Sequence, residues 1–322
     1  MEMLKLQLDI IGNGKIKVMS KKNELKINHA YQKSVSYSQY SMYESCQYQW
    51  YLAYVKKKKI FKPGIFLCFG TSFHETLQNY LEVMYNKSIT AANEIDLSAY
   101  LEDRMIENYK KDLEDSNNNH YTTKEEFSEF IADGVTTLEW FKKNRAKYFS
   151  KKDTELVGIE IPVLQSVTEY SPNVLIQGYI DFILYHKNTD TYTIYDIKTS
   201  TRGWGDKEKK DEIKLSQILL YKHFYSKALN IDQDKIDVKF FIVKRKIYEN
   251  VEFPIPRIQE FAPANKTKKV KDAYNRLENF IKECFTPEAK YNTERIYKKN
   301  LSSCKWCQFS NSPELCNKKH EE

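Results

Sequence analysis

Residues 178–200 read GYIDFILYHKNTDTYTIYDIKTS, and their alternation of apolar and polar side chains predicts two β-strands. A turn over residues 187–190 would send the chain back as a second strand over residues 192–198. On that strand Asp196 and Lys198 are two residues apart, so both side chains should point to the same side of the sheet. On the first strand we expect one face to carry Tyr179, Asp181, Ile183 and Tyr185, and the other face to carry Ile180, Phe182 and Leu184.

A charged loop, TRGWGDKEKKDE over residues 201–212, leads from these strands into IKLSQILLYKHFY over residues 213–225. The period changes there to that of a helix, because the apolar residues recur at helical spacing. Gln217 and Tyr221 are four residues apart, so we expect them to share one exposed stripe of this helix.

An acidic residue on one strand, Asp-x-Lys on the next and Gln-x-x-x-Tyr on the following helix together resemble the motifs of the PD-(D/E)XK nuclease superfamily, in particular its RecB-type domain. The resemblance implies a catalytic set made of Asp181, Asp196, Lys198, Gln217 and Tyr221. It also implies an α/β (α+β) fold, in which a central mixed sheet with an α-β-β-β-α-β core is flanked by helices. A helical insertion and a C-terminal cysteine-rich segment complete the expected architecture.

The length of 322 residues suits one nuclease domain, which we expect to span residues 1–322. Its parts are an N-terminal segment (1–60), a core helix (70–88), a helical insertion (95–150), the nuclease core (155–260), and a C-terminal helix with the cysteine segment (261–322).

His74 lies in the stretch GTSFHE, near the predicted start of the core helix. A single histidine at such a place is ordinarily structural or faces solvent. In the resembling family, however, Gly-x-x-x-His followed by Glu carries a metal-binding histidine. The resemblance therefore implies a site for Mg²⁺ or Mn²⁺ formed by His74, Asp181, Asp196 and the backbone carbonyl of Ile197.

Three of the six cysteines, Cys304, Cys307 and Cys316, have a spacing typical of metal sites, although three thiolates leave a tetrahedral site one ligand short. The iron–sulfur branch of the RecB-like nucleases, which includes AddB-type enzymes and CRISPR-adaptation exonucleases, takes its remaining cysteine from far upstream. Cys46 stands at the corresponding place, which implies a [4Fe–4S] cluster on these four residues. Zinc remains the alternative, because four thiolates suit it equally well.

Lysine clusters occur at residues 56–59, 207–210 and 266–271, within a formal net charge of +7. They suit a polyanion such as DNA, although solvated lysine-rich faces would give the same pattern. Trp204, beside the second cluster, could stack on a base or serve only in packing. No apolar run is long enough to cross a membrane, and the first residues do not resemble a signal peptide, so we expect a cytoplasmic protein. Its Lys- and Asn-rich composition would also fit a virus-encoded protein that acts in the host cytoplasm.

Three functions compete at this point. The first is a metal-dependent DNA exonuclease that acts on single strands or duplex ends in recombination, repair or replication. The second is a non-catalytic iron–sulfur DNA-binding module that partners a helicase or recombinase, and the third is a restriction-type endonuclease. No P-loop of the form GxxxxGK[ST] is found, so unwinding would need a partner protein, and a single-strand-binding protein is a further candidate partner.

Overall fold

The computed structural model describes residues 9–11, 15–17, 27–59, 61–248, 252 and 255–317. A short antiparallel pair, β1 (Asp9–Ile11) and β2 (Lys15–Lys17), forms a separate sheet. The main sheet has six strands: β3 (Lys33–Ser36), β4 (Thr154–Ser166), β5 (Val174–His186), β6 (Thr191–Ser200), β7 (Ile236–Lys244) and β8 (Ile258–Phe261).

The helices are α1 (Tyr37–Ser45), α2 (Gln47–Trp50), α3 (Ile65–Asn86), α4 (Ile89–Asn93), α5 (Leu97–Asp115), α6 (Lys124–Asn144), α7 (Asp206–Lys210), α8 (Glu212–Leu229) and α9 (Thr267–Cys284). A π-helical turn (Tyr51–Val55) follows α2, and 3₁₀ turns cover Arg145–Lys147, Gln233–Lys235 and Leu301–Trp306. The order α3-β4-β5-β6-α8-β7 confirms the predicted core, and α5 with α6 occupies the predicted insertion. Among the helices of the described ranges, none combines the length and apolar character that a membrane span requires.

Strand β5 is the centre of the mixed sheet. Strand β4 runs antiparallel along one edge of β5. Along the other edge β3 pairs in parallel with the first residues of β5, and β6 pairs antiparallel with the last ones. The ladder between β5 and β6 ends at the pair Phe182–Tyr195, so the two strands separate at Asp181 of β5 and at Asp196 of β6. Beyond β6, strand β7 is parallel and β8 antiparallel, which completes the sheet.

Helices cover both faces of the sheet. Side chains of α3, α5 and α6 form one core with the sheet, and side chains of α1, α8 and α9 form the other. In the second core Trp50 is fully buried and its ring contacts Phe280 of α9 edge to face. This packing joins the N-terminal part of the chain to its C-terminal part, so the segments that carry the four predicted cluster cysteines lie together.

The predicted strict alternation of β5 is wrong at one point. Ile180 packs in the core on the α8 side, whereas Phe182, two residues later, packs on the α3 side. Between them Asp181 lies opposite Glu160 of β4, whose φ of 50° is in the left-handed region. Few residues other than glycine adopt this conformation, and here it coincides with a reversal of the side-chain alternation next to Asp181.

Helix α3 begins five residues before the predicted core helix of 70–88 and ends at Asn86. The apolar face extends backwards through Ile65, Phe69 and Phe73, which are all buried, and Gly64 caps the helix. His74 therefore lies in the third turn of the helix instead of the first.

Candidate active site

The separation of β5 from β6 is bridged by a side chain. The backbone N–H of Ile197 donates a hydrogen bond of 2.6 Å to Oδ2 of Asp181. The carboxylate thus takes the place that a strand carbonyl would have in a continued ladder. As a result, Asp181 is held against Ile197, which is the residue between Asp196 and Lys198.

Lys198 connects the sheet to helix α8. Its Nζ lies 2.8 Å from Oδ2 of Asp196 and donates a 2.8 Å hydrogen bond to Oε1 of Gln217. The Nε2 of Gln217 in turn donates to the hydroxyl of Tyr221 at 3.3 Å. The five residues predicted to be catalytic are therefore brought together in one network of contacts between β5, β6 and α8.

The predicted exposed stripe on α8 is wrong for Tyr221, which is only 8% exposed. Its hydroxyl lies against Gly178 of β5, where an added Cβ would come within 2.9 Å of it. A glycine is needed at this place because a larger residue would push Tyr221, and with it Gln217, away from the site.

His74 approaches the site from α3. Its Nδ1 lies 3.7 Å from Oδ2 of Asp181, which is longer than a hydrogen bond, and a quarter of its side chain is exposed. Desolvation in the cleft and the nearby charge of Lys198 lower the pKa of His74 to about 3. The imidazole is therefore neutral near pH 7, which is the form that binds metal ions.

The two carboxyl groups and the lysine influence one another strongly. Burial, and then the charge of Asp196, raise the pKa of Asp181 well above its usual range. Burial also raises the pKa of Asp196, although Lys198 opposes this effect. Burial alone would lower the pKa of Lys198, but the charges of Asp196 and Asp181 outweigh it and raise that pKa. Lys198 is consequently a permanent cation beside two crowded carboxyl groups.

Two further residues belong to this site and were missed in the sequence. Gln78, buried on α3, donates hydrogen bonds to Oε1 of Glu160 at 2.7 Å and to the backbone carbonyl of Asp181 at 3.2 Å. Gln78 follows His74 by four residues, so helical spacing could have identified it. Glu160 stands in a strand without any motif, and its place beside Asp181 depends on the pairing of β4 with β5.

Trp204 is a packing residue. Its ring lies 4.7 Å from that of Phe240, centroid to centroid. The side-chain amide of Gln259 also holds its backbone, accepting from the N–H at 2.8 Å and donating to the carbonyl at 3.0 Å. Of the two interpretations of Trp204, the geometry favours the structural one.

The four cysteines of the predicted cluster line one narrow cavity between the N-terminal segment and the C-terminal tail, namely Cys46, Cys304, Cys307 and Cys316. Two of the sulfurs accept backbone hydrogen bonds of 3.4 Å, Cys46 from Asn300 and Cys307 from Phe309. Burial, together with the neighbouring Cys46 and Cys304 thiols, raises the pKa of Cys307. The two remaining cysteines, Cys68 and Cys284, are buried outside this cavity.

The ligand atoms at the two sites are of the kinds that the expected metals bind. Asp181 and Asp196 offer hard oxygen ligands, and His74 offers a neutral nitrogen. Over the residues that the structure describes, however, no group of three or more His, Cys, Asp or Glu side chains is arranged as a ready-made metal site. Binding of a metal at either place would thus draw the ligands together.

Comparison with families of known proteins gives one finding. A sequence model of the PD-(D/E)XK nuclease superfamily matches residues 34–312, which include every residue of the site described above. Members of this superfamily generally use Mg²⁺ or Mn²⁺ to cleave nucleic acids. A search among curated protein sequences gave no significant match. Because the superfamily model covers most of the chain and its signature residues meet in one site, the protein belongs to the PD-(D/E)XK nuclease superfamily.

Proposed function

We propose that this nuclease is a metal-dependent DNA exonuclease that hydrolyses phosphodiester bonds of single strands or duplex ends, in recombination, repair or replication. The observation that carries the proposal is the position of Lys198, whose ammonium group lies 2.8 Å from Asp196 and is held by Gln217 at the separation of two strands. Such a fixed cation next to two carboxyl groups suits the hydrolysis of a charged phosphodiester.

The catalytic metal would be held by Asp181, Asp196, His74 and the backbone carbonyl of Ile197. The neutral nitrogen of His74 favours Mn²⁺ over Mg²⁺ among the two candidates. When bound, the ion would polarise the phosphate and make a water molecule more acidic. It would also compensate the repulsion from Asp196, which adds to the effect of burial in raising the pKa of Asp181.

The protein's own groups have separate tasks. Lys198 stays protonated because its pKa is raised, so it supplies positive charge to the phosphate and cannot accept a proton from water. Gln217 fixes the direction of the lysine, and Tyr221 fixes Gln217. Gln78 of α3 holds the backbone of Asp181 from the face of the sheet opposite to α8.

A second proposal concerns the tail, where a [4Fe–4S] cluster would bind to Cys46, Cys304, Cys307 and Cys316. The common cavity and the backbone N–H donors to sulfur support it, since such hydrogen bonds tune cluster thiolates. Zinc is the alternative and would require the four sulfurs within about 4 Å of one another, given Zn–S bonds of about 2.3 Å. Six cysteines without a disulfide agree with the proposed cytoplasmic location.

The experiment that tests the main proposal compares two lysines, the partly exposed Lys198 and the buried Lys222. Lys198→Met removes the cation of the site, whereas Lys222→Met removes a buried lysine of α8 that binds Asn265 away from the site. End-labelled linear and closed circular DNA are incubated with Mn²⁺ or Mg²⁺. We expect Lys198→Met to lose at least about a hundredfold in rate. Lys222→Met should keep its activity in molecules that are shown to be folded by thermal melting.

The competing functions give different results in the same assay. Cleavage of closed circles would favour the endonuclease. Binding of DNA without cleavage by the wild type, with either metal, would favour the non-catalytic module. A helicase, recombinase or single-strand-binding protein remains a candidate partner, to be tested by its effect on the rate of digestion.

A further inference from the structure

Two large apolar side chains at the beginning of α3 face solvent. Phe66 is 61% exposed and Leu67 is 55% exposed, although Cys68 and Phe69, the next two residues, are buried in the core. Single exposed apolar residues are common, but a neighbouring pair on a rigid helix marks a contact surface more often. Phe66 is held in place from below, since its ring packs edge to face on Phe130 with centroids 5.1 Å apart.

This pair lies on the same stripe of α3 as the metal-ligand candidate His74. Phe66, Gly70 and His74 follow one another at intervals of four residues, and Thr71 beside them is exposed. With a rise of about 1.5 Å per residue, Phe66 lies about 12 Å along the helix from His74. Gly70 lies close to the end of β6, because a Cβ added to it would be 3.1 Å from Oγ1 of Thr199. The stripe is therefore continuous with the cleft.

A segment with many basic residues follows the end of β6. The segment 201–214 leads from β6 into α8 and carries five Lys or Arg residues beside four Asp or Glu residues. Two of these acidic residues cap helices, Glu208 at α7 and Asp211 at α8, and Glu212 pairs with Lys269 and Arg276 of α9. Arg202 stacks its guanidinium 4.7 Å from the ring of exposed Tyr248. Cations for phosphates thus follow the end of β6, and an apolar surface lies at the start of α3, which approaches β6 at Gly70.

We propose that Phe66 and Leu67 form a platform for nucleobases of a single-stranded DNA segment that leads into the active site, with its phosphates on the basic segment 201–214. Only a single strand can present base faces to one surface and phosphates to another, because a duplex keeps its bases stacked inside. This inference rests on the proposed function in taking DNA as the substrate. It specifies the form of that substrate as a single strand at the site, even where the end of a duplex is digested.

The test uses the double variant Phe66→Ala/Leu67→Ala in the full chain. Its matched control is Tyr170→Ala, which removes an exposed aromatic ring near α9, on the other side of the sheet. Binding of fluorescent oligothymidylate and of a blunt duplex is measured with Ca²⁺ in place of Mn²⁺ at several salt concentrations. Hydrolysis of single-stranded DNA and of bis(4-nitrophenyl) phosphate, which is too small to reach the platform, is measured with Mn²⁺.

We expect the double variant to bind oligothymidylate about tenfold or more weakly, as loss of a base-stacking surface does. The slope of log affinity against log salt should not change, because the phosphate contacts remain. Duplex affinity and hydrolysis of the small diester should stay within about twofold of the wild type, as should all properties of Tyr170→Ala.

Three results would overturn the inference. One is an unchanged affinity for the single strand, and another is an equal loss for single strand and duplex. The third is a wild type that forms dimers which the double variant abolishes without loss of DNA affinity, since the pair would then be a self-association surface. If the wild type binds the single strand through the platform but hydrolyses no substrate, the exonuclease proposal fails while the platform stands.

Discussion

The active site and the cysteine segment are built in opposite ways. The active site lies between the sheet and its covering helices, where contacts between elements hold its key side chains, as Ile197 of β6 holds Asp181 of β5 and Gln217 of α8 holds Lys198 of β6. The cysteine segment carries three of the four cavity thiols on turns and the short 3₁₀ helix Leu301–Trp306, and the fourth, Cys46, stands between α1 and α2. All four thiols are partly exposed. The apolar core beside these thiols has only three buried residues within the described part of the chain, Leu52, Ala53 and Phe309.

This difference separates chemistry from stability. The active site keeps its geometry through the fold, so the crowded carboxyl groups there oppose stability and serve function. The cysteine segment has little buried apolar surface to hold its turns in place, so we expect its stability to depend on the group proposed to bind the thiols. Removing a ligand should therefore have different consequences in the two regions.

The largest effect is expected for Asp181→Asn. DNA cleavage should fall at least about a hundredfold, because a carboxylate ligand is lost. The melting temperature should stay the same or rise, since the amide oxygen can still accept from Ile197 and the repulsion with Asp196 disappears. Asp153→Asn, at a distant turn where Asn188 binds Asp153, is the control and should change neither quantity. A marked loss of stability in Asp181→Asn would contradict the contrast drawn above.

The reverse result is expected for Cys304→Ser. Iron and sulfide, measured after anaerobic purification, should be lost, and the free energy of unfolding should fall by about 2–5 kcal/mol, as for a cross-link that closes a long loop. Activity per folded molecule should change little. Cys68→Ser, which alters a buried thiol outside the cavity, should retain the full iron content. Zinc in place of iron and sulfide in the wild type would correct the identity of the bound group but not the contrast.

A smaller effect is expected for Gln78→Leu, which removes the hydrogen bonds to Glu160 and to the carbonyl of Asp181. The turnover rate should fall about tenfold, the equivalent of one well-placed hydrogen bond, while the KM for DNA stays nearly constant. Gln165→Leu breaks a comparable bond to the carbonyl of Phe224 far from the cleft, and it should affect stability alone. Equal turnover rates for the two variants would mean that Gln78 plays no part in positioning Asp181.

The smallest effect concerns pH and the contact of α8 with α9, which links the two regions. His223 stacks on Tyr274 with centroids 4.3 Å apart, and burial followed by the charge of Lys227 lowers its pKa to about 4. The unfolded chain therefore binds the proton more readily, so stability should fall as pH drops from about 6.5 to 4. After allowance for solvent screening, the loss should be about 1 kcal/mol or less. The free energy of unfolding, measured with urea at several pH values, should depend less on pH in His223→Phe than in the wild type.

The order of elements and the principal polar residues could be predicted from the sequence, because motif spacing and strand alternation are local properties. Asp196 and Lys198 share a strand, and Gln217 and Tyr221 share a helical stripe, so each pair could be placed without knowledge of the tertiary structure. The grouping of the pairs came from the resemblance to a family.

The remaining features depend on contacts between elements. The reversal of alternation at Asp181 accompanies a left-handed Glu160 on a neighbouring strand, and glutamate gives no local sign of that conformation. The start of α3 was placed too late, because the apolar run around Phe66 does not reveal which of its members are exposed. How much of Phe66 is exposed depends on a contact with another helix, since its ring packs only on Phe130 of α6 among the described aromatic residues.

The interrupted ladder between β5 and β6 also has a consequence for how such a protein evolves. Stability alone would favour pairing that continues past Phe182 and Tyr195, since each added residue pair would bring further backbone hydrogen bonds. The open ladder therefore lowers stability in favour of function. Substitutions that extend the pairing would stabilise the fold and could inactivate the enzyme. Under selection for both heat resistance and activity, stabilising substitutions should accumulate away from this gap. Under selection for heat resistance alone, some of them should close it.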